Sequence, residues 1–260
     1  GFYESDKGAP CPFIRWRIVM RLDKFLCDMQ LGTRSQVKDL IKKGQVSVND
    51  TLVRKPDFQV DAARDHIVCM GKSIIYQSLY YYMLHKPAGV VTATRDNHEP
   101  TVMSLLPDAS GKHLAPVGRL DKDTEGLLLI TNDGELAHNL LSPSRHVAKT
   151  YYVECTGTLS ADAVSLLENG VEIGDETPTR PAQVKVLTQS ADFYTIELTI
   201  TEGRFHQVKR MVQAVGGSVT YLKRLSMGTL SLDETLSKGS YRALTEQEIM
   251  ALKPSKSSEL

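Results

Sequence analysis

The residues best placed to do chemistry lie in one stretch, Val117-Gly118-Arg119-Leu120-Asp121-Lys122-Asp123-Thr124-Glu125-Gly126, which continues as Leu127-Leu128-Leu129-Ile130 and closes on Asn132-Asp133-Gly134. A charged turn carrying Gly118, Arg119, Asp121 and Asp123 runs into a short apolar segment with turn residues on both sides. Such a run suits a strand buried on both faces. A carboxylate on the turn before that strand stands at the rim of the core, anchored by buried neighbours and open to a cleft. A catalytic acid or nucleophile is useful there. Taken alone, Arg-Leu-Asp is a common turn pattern whose carboxylate bonds local backbone N–H groups. An aspartate is ionised at neutral pH without a general base, and a neighbouring cation keeps it so when water is excluded.

Other chemistries have no foothold. Gly-x-Ser-x-Gly, His-Glu-x-x-His and Gly-x-x-x-x-Gly-Lys-Ser/Thr are all missing. None of the seven histidines pairs with another at metal-ligand spacing, and His206 reads as a structural hydrogen-bonding residue. The four cysteines (Cys11, Cys27, Cys69, Cys155) are scattered. That argues against a zinc site and a disulfide scaffold and suits a reducing cytoplasm. The expectation is a carboxylate reaction with no metal and no cofactor. A carboxylate hydrolase is disfavoured because no second Asp or Glu has an evident acid/base role; Asp123 reads as a turn or capping residue.

These residues must be held by surrounding elements. Leu22, Phe25, Leu26 and Met29 fall at helical spacing, ended near Gly32. Ser35 is expected to cap a second helix with Val37, Leu40 and Ile41 on its apolar face and Gly44 as its stop. Val46 and Val48 alternate into a turn at Asn49-Asp50, and Leu52-Val53 returns. Tyr80–Leu84 is a β-prone run, and Pro87 and Gly89 fix a tight turn between two strands. A helix over 135–141, a strand from Lys149 and a helix and turn over 160–172 follow. Two alternating strands (Val184, Val186; Tyr194–Ile200) lead to a helix opening at Glu202 that presents Arg204, His206, Lys209, Arg210 and Gln213. Val219–Leu225 is another strand, and Thr245 and Glu248 make a capping box for a last helix.

Formal net charge is zero, with 31 basic and 31 acidic residues, so global charge announces no nucleic-acid partner. Residues 21–72, however, hold ten Lys/Arg against seven Asp/Glu, a balance of 10 − 7 = +3. That modest basic patch is compatible with RNA. No apolar run approaches membrane-spanning length. Residues 1–19 lack a signal-peptide core, because Arg15 and Arg17 interrupt it; they read as an appended or upstream segment before a natural start at Met20.

Gly-Arg-Leu-Asp-x-Asp-Thr-x-Gly-Leu-Leu-Leu-x-Thr-Asn-Asp-Gly resembles the signature of the pseudouridine synthases, in the branch that modifies small-subunit (16S) ribosomal RNA. Lys86-Pro87-Ala88-Gly89, Lys149-Thr150-Tyr151 and Glu202–Met211 occur in that family's order. The basic helices and hairpin of residues 20–68 resemble the S4 RNA-binding fold. The resemblance implies an α+β protein: a small N-terminal S4 domain (an αα-hairpin plus strands, 20–68), a linker (69–79), a catalytic domain with a mixed, mainly antiparallel sheet flanked by helices (80–253) and a flexible tail (254–260). It implies that Asp121 is catalytic, that Lys209 is its cation in preference to Arg210, and that Tyr151 stacks on the uracil while Tyr152 faces away. Arg119, Arg204 and Arg210 in the catalytic domain, with Arg21, Lys24, Arg34, Lys38, Lys42 and Lys43 in the S4 domain, are the expected RNA contacts.

The expected reaction is cofactor-free isomerisation of a flipped-out uridine in 16S rRNA, free or in an assembly intermediate, by a cytoplasmic monomer that makes no use of a membrane. Attack of Asp121 at C1′, attack at C6 and a glycal route are each compatible with the sequence. The alternatives are a 23S rRNA substrate and a non-catalytic S4-type RNA-binding assembly factor.

Overall fold

The computed structural model describes residues 18–107 and 112–253. They form two units, one ending at Ser78 and one beginning at Leu79. Residues 1–17 of the leader expected over 1–19, and the tail expected from residue 254, lie outside the described residues. Among the described residues, no helix is long and apolar enough to cross a membrane.

In the first unit, β1 (Val19–Arg21) runs directly into α1 (Leu22–Asp28), and α2 (Arg34–Lys42) follows. The apolar spacing does what it predicts: Leu22, Phe25, Leu26, Val37 and Ile41 are buried in one core. Strands β2 (Val46–Val48), β3 (Thr51–Leu52), β4 (Gln59–Asp61), β5 (Ile67–Cys69) and β6 (Lys72–Ile74) complete the unit. A sheet in the order β3-β2-β5-β6 forms beside the pair β1-β4. Asn49 and Asp50 both take positive φ, 48° and 65°, so the β2–β3 turn is the primed kind that matches strand twist.

Three expectations need correction here. The second helix is capped by Thr33, not Ser35: Thr33 and Gln36 form a reciprocal capping box, which satisfies two end donors that Ser35 would leave open. Lys72–Ile74, read as linker, is the strand that pairs with β5 across a Met70-Gly71 turn. Val19, assigned to the leader, pairs with Asp61 in β1.

The second unit contains β7 (Tyr81–Lys86), β8 (Ala115–Pro116), β9 (Glu125–Thr131), α3 (Gly134–Leu141), β10 (Lys149–Gly157), α4 (Ala163–Asn169), β11 (Gln183–Gln189), β12 (Phe193–Ile200), α5 (Gln207–Ala214), β13 (Gly217–Met227), β14 (Leu230–Ser231), β15 (Tyr241–Ala243) and α6 (Glu246–Leu252). Its sheet runs β11-β12-β10-β13-β9-β7-β15, with β14 added to β13 and β8 to β9. All pairings are antiparallel except β13 with β9. Every residue of β9 is buried. Leu128 and Ile130 enter the core beneath α4 and α5, while Leu127 and Leu129 enter the core beneath α3 and α6. Strand period two thus explains the unbroken apolar run.

Val90-Val91 does not continue as a strand; Val91 makes only an isolated bridge to Thr101. The helix expected from Glu202 begins at Gln207. His206 adopts left-handed φ of 49°, and the buried Gln207 side chain ties back to the Arg204 N–H at 2.9 Å and to Glu202 at 2.9 Å. Residues 202–206 are therefore a braced loop, and Arg204 and His206 belong to it rather than to the helix.

Candidate active site

Asp121 sits on the loop between β8 and β9, and that loop is fixed through its backbone. Thr92 Oγ1 donates to the Leu120 carbonyl at 2.7 Å, and the Gly89 N–H reaches the Lys122 carbonyl at 2.8 Å. At its centre is Lys86, fully buried. Its ammonium donates to the carbonyls of Thr124 (2.7 Å), Asp121 (3.0 Å), Pro87 (3.0 Å) and Lys122 (3.3 Å). In the sequence Pro87 and Gly89 account for the Lys-Pro-x-Gly turn, and nothing local shows that the strand-end Lys86 turns inward.

Lys86→Met should leave those carbonyls unsatisfied, cost roughly 3 kcal/mol and lower Tm by on the order of 10 °C in a thermal melt. Burial also pulls Lys86 down to about 8, against the raising influence of Asp123, Glu125 and Asp121. Since the folded state then gives up the proton more readily than the unfolded chain, stability rises with pH between about 8 and 10.5. The wild-type denaturation midpoint should therefore gain on that of Lys86→Met across this window. A difference that stays flat with pH would disprove the assignment.

The Asp121 carboxylate is about one-third exposed and lies between Lys209 on α5 and His206 just before it. Lys209 Nζ is 3.2 Å from Oδ2, and His206 Nε2 is 3.4 Å from Oδ1. Lys209 also bonds Asp123 at 2.7 and 2.9 Å. Burial alone would lower the lysine; its bonds to Asp123 and Asp121 outweigh burial and hold it above the ordinary range. The same Lys209 contact holds the Asp123 carboxyl below its ordinary range. Asp123, expected as a turn or capping residue, is thus an outer partner of the site lysine, and His206 stands beside the carboxylate.

A cavity of about 370 Å³ opens at Asp121 and is lined also by Arg119, Lys149, Tyr151, His206 and Lys209. Tyr151, only 8% exposed, forms part of its wall. Tyr152 points to the other face of β10 and packs edge-on against Tyr221. The structure therefore brings Asp121, Tyr151, Lys209 and Arg119 to one cavity. Phe205, 73% exposed, stacks on His206 with ring centroids 3.8 Å apart.

Arg204 and Arg210, expected to face RNA, are committed elsewhere. Arg204 bonds Glu202 and the Thr177 and Pro178 carbonyls. Arg210 bonds Asp175 at 2.7 Å and the Ile173 and Phe205 carbonyls. Their guanidinium forks fasten the 173–178 loop to the start of α5 and have little left to offer a phosphate. In the first unit, Arg21 is paired with Asp23 and Lys24 with Asp28. Arg34, Lys38 and Lys42 stand exposed along one side of α2, with Lys43 beyond its end.

The chain is similar to known proteins. Residues 80–214 match the family model described as RNA pseudouridylate synthase, and residues 20–67 match the S4 domain. The uncharacterized RNA pseudouridine synthase YtzG of Bacillus subtilis (strain 168) is 46% identical over 90% of this chain and 98% of its own length. The ribosomal small subunit pseudouridine synthase A of Vibrio cholerae is 40% identical, over 90% of this chain and 99% of its own. A crystal structure of a pseudouridylate synthase superposes with a TM-score of 0.63 at 36% identity, covering 90% of this chain and all of that one. With a matching family model over the catalytic unit and near-full-length relatives well above the level at which families diverge, this chain belongs to the RNA pseudouridylate synthase family.

Proposed function

We propose that this protein converts one uridine of small-subunit (16S) ribosomal RNA to pseudouridine. Asp121 is the catalytic carboxylate, Lys209 its cation and Tyr151 the ring on which the extruded uracil stacks. The observation that carries this reading is a partly exposed carboxylate, 3.2 Å from a lysine ammonium, at the mouth of a cavity walled by a tyrosine. The base must leave C1′ through N1, turn and rejoin through C5. No electron is gained or lost overall, so the chemistry calls for no redox cofactor.

The target uridine is flipped from its stack at a cost of a few kcal/mol. Arg119, on the cavity rim two residues before Asp121, fills the vacated space or meets a phosphate. The small-subunit assignment draws on relatives named ribosomal small subunit pseudouridine synthase A, which match this chain over nearly their whole length. A ribosomal RNA substrate makes this a cytoplasmic enzyme. A monomer suffices, because one chain supplies Asp121, Lys209 and Tyr151.

Incubation with uridine-labelled 16S and 23S transcripts, followed by mapping of pseudouridine through adduct-dependent reverse-transcription stops, tests the assignment. One modified position in 16S is expected. Modification confined to 23S would move the substrate, and binding without modification would leave a non-catalytic assembly factor.

Arg34, Lys38 and Lys42, at four-residue spacing on α2, are the S4-unit cations best placed to meet phosphates. Replacing all three by Ala should weaken RNA binding about ten- to a hundredfold and reduce the slope of log K against log salt by about two to three. The rate at saturating RNA should not change. Filter binding across a salt series reads the slope.

A further inference from the structure

Resting on the reading above, we propose that Lys149 and Arg224 form the floor of the cavity, where they hold a carbonyl oxygen of the uracil and stabilise the ring as an anion while it is detached from the ribose. Both are cations inside a protein interior: Arg224 is 2% exposed and Lys149 is 9% exposed. Both line the same cavity as Asp121 and Tyr151. Lys149 and Tyr151 share the buried face of β10, and Arg224 is the cross-strand partner of Tyr151 on β13.

Neither cation meets a carboxylate among the described residues. Lys149 Nζ donates to the Val147 carbonyl at 3.1 Å and Arg224 Nε to the Leu127 carbonyl at 2.9 Å. Arg224 Nη2 is buried without any hydrogen-bond partner. Burial, and then the nearby Arg224 guanidinium, hold Lys149 below the ordinary lysine range. Two like charges without a counter-ion, one with an idle donor, are costly in an interior. An acceptor that enters the cavity removes that cost.

The reaction supplies such an acceptor. When the C1′–N1 bond breaks, its electron pair leaves with the base, and the negative charge spreads over N1, O2 and O4. The charge is consumed when C5 bonds C1′, N1 takes up a proton and the proton on C5 departs. Donors already aimed at an oxygen of that ring strengthen as charge develops, which is the most effective electrostatic contribution a site can make. With Nε held by the Leu127 carbonyl, Arg224 has lost its side-on Nε/Nη2 fork, one of the two that a phosphate could use, whereas a single ring carbonyl needs only the idle Nη2.

The test uses full-length protein and target RNA carrying uridine, 2-thiouridine or 4-thiouridine at the modified position, in single-turnover assays at saturating enzyme. Lys149→Met and Arg224→Lys should each slow the uridine reaction about a hundredfold, with RNA Kd within about threefold of wild type. One of the two thio-substitutions should slow wild type about five- to tenfold, yet have almost no further effect in the variants. This loss of additivity identifies the carbonyl and would not arise from a merely structural role. Should Arg224→Lys fail to fold, Lys149→Met carries the test alone. Full additivity for both thio-bases overturns the proposal. So does non-additivity seen instead with a phosphorothioate beside the target, which would assign the cations to the backbone. If wild type forms no pseudouridine on any RNA, it is the reading of the reaction that fails instead.

Discussion

Asp121→Asn is expected to lower pseudouridine formation by roughly four orders of magnitude while RNA affinity stays within about threefold of wild type. The substitution keeps the shape of the side chain and removes its charge. The loop should not move, because Lys86 and Thr92 grip its backbone, not the Asp121 carboxylate. Lys209 should also stay in place, since Asp123 continues to hold it at 2.7 Å. The loss would therefore report chemistry and not misfolding. Single-turnover conversion of the target RNA, with Kd measured in parallel, separates the two. An Asn variant that turns over at the wild-type rate would remove Asp121 from the mechanism.

Lys209→Met should cost about a hundred- to a thousandfold in the same assay. Among the described residues, the lysine is the one group that pairs with both Asp121 and Asp123. Without it both carboxylates on the loop lose their lysine partner. Stability should fall little, because Asp123 is largely exposed and such pairs are screened by water. Lys209→Arg should restore most of the rate, since a cation of different shape still reaches both oxygens. Equal losses for Met and Arg would point to packing by the lysine stem in place of charge.

Much of this was legible before any coordinates. The Leu127–Ile130 run is so uniformly apolar that only a strand with core on both sides can hold it, and the glycine at 126 has a reason that the structure supplies. Its φ is +106°, and a Cβ there would sit 2.2 Å from the Arg224 carbonyl oxygen, so the first residues of β9 can lie against β13 only with glycine. Asp121 stood out as a candidate because a carboxylate flanked by turn residues leads into that strand, and its expected role, like those of Tyr151 and Lys209, came from the resemblance.

What stayed hidden depends on long-range pairing. Arg224 lies in a strand whose alternation reads as half solvated, and only its register opposite Tyr151 and beside Gly126 buries it. Lys149 and Lys86 look like ordinary strand-end cations for the same reason. Arg204 and Arg210 look like an RNA-facing pair until the 173–178 loop closes over them. The Thr33 cap was available in the sequence: Thr33 and Gln36 have capping-box spacing, and the competing Ser35 has no such partner.

The parallel join between β9 and β13 has a consequence for the nascent chain. Strand β9 leaves the ribosome long before β13, and parallel strands can meet only after everything between them has been made. The amino-terminal unit, with a core of its own, can fold while the rest is still being translated. The aspartate therefore emerges early into a molecule able to hold RNA but not to change it. Isomerase activity begins only when residue 227 has emerged from the ribosome and the last wall of the pocket has docked.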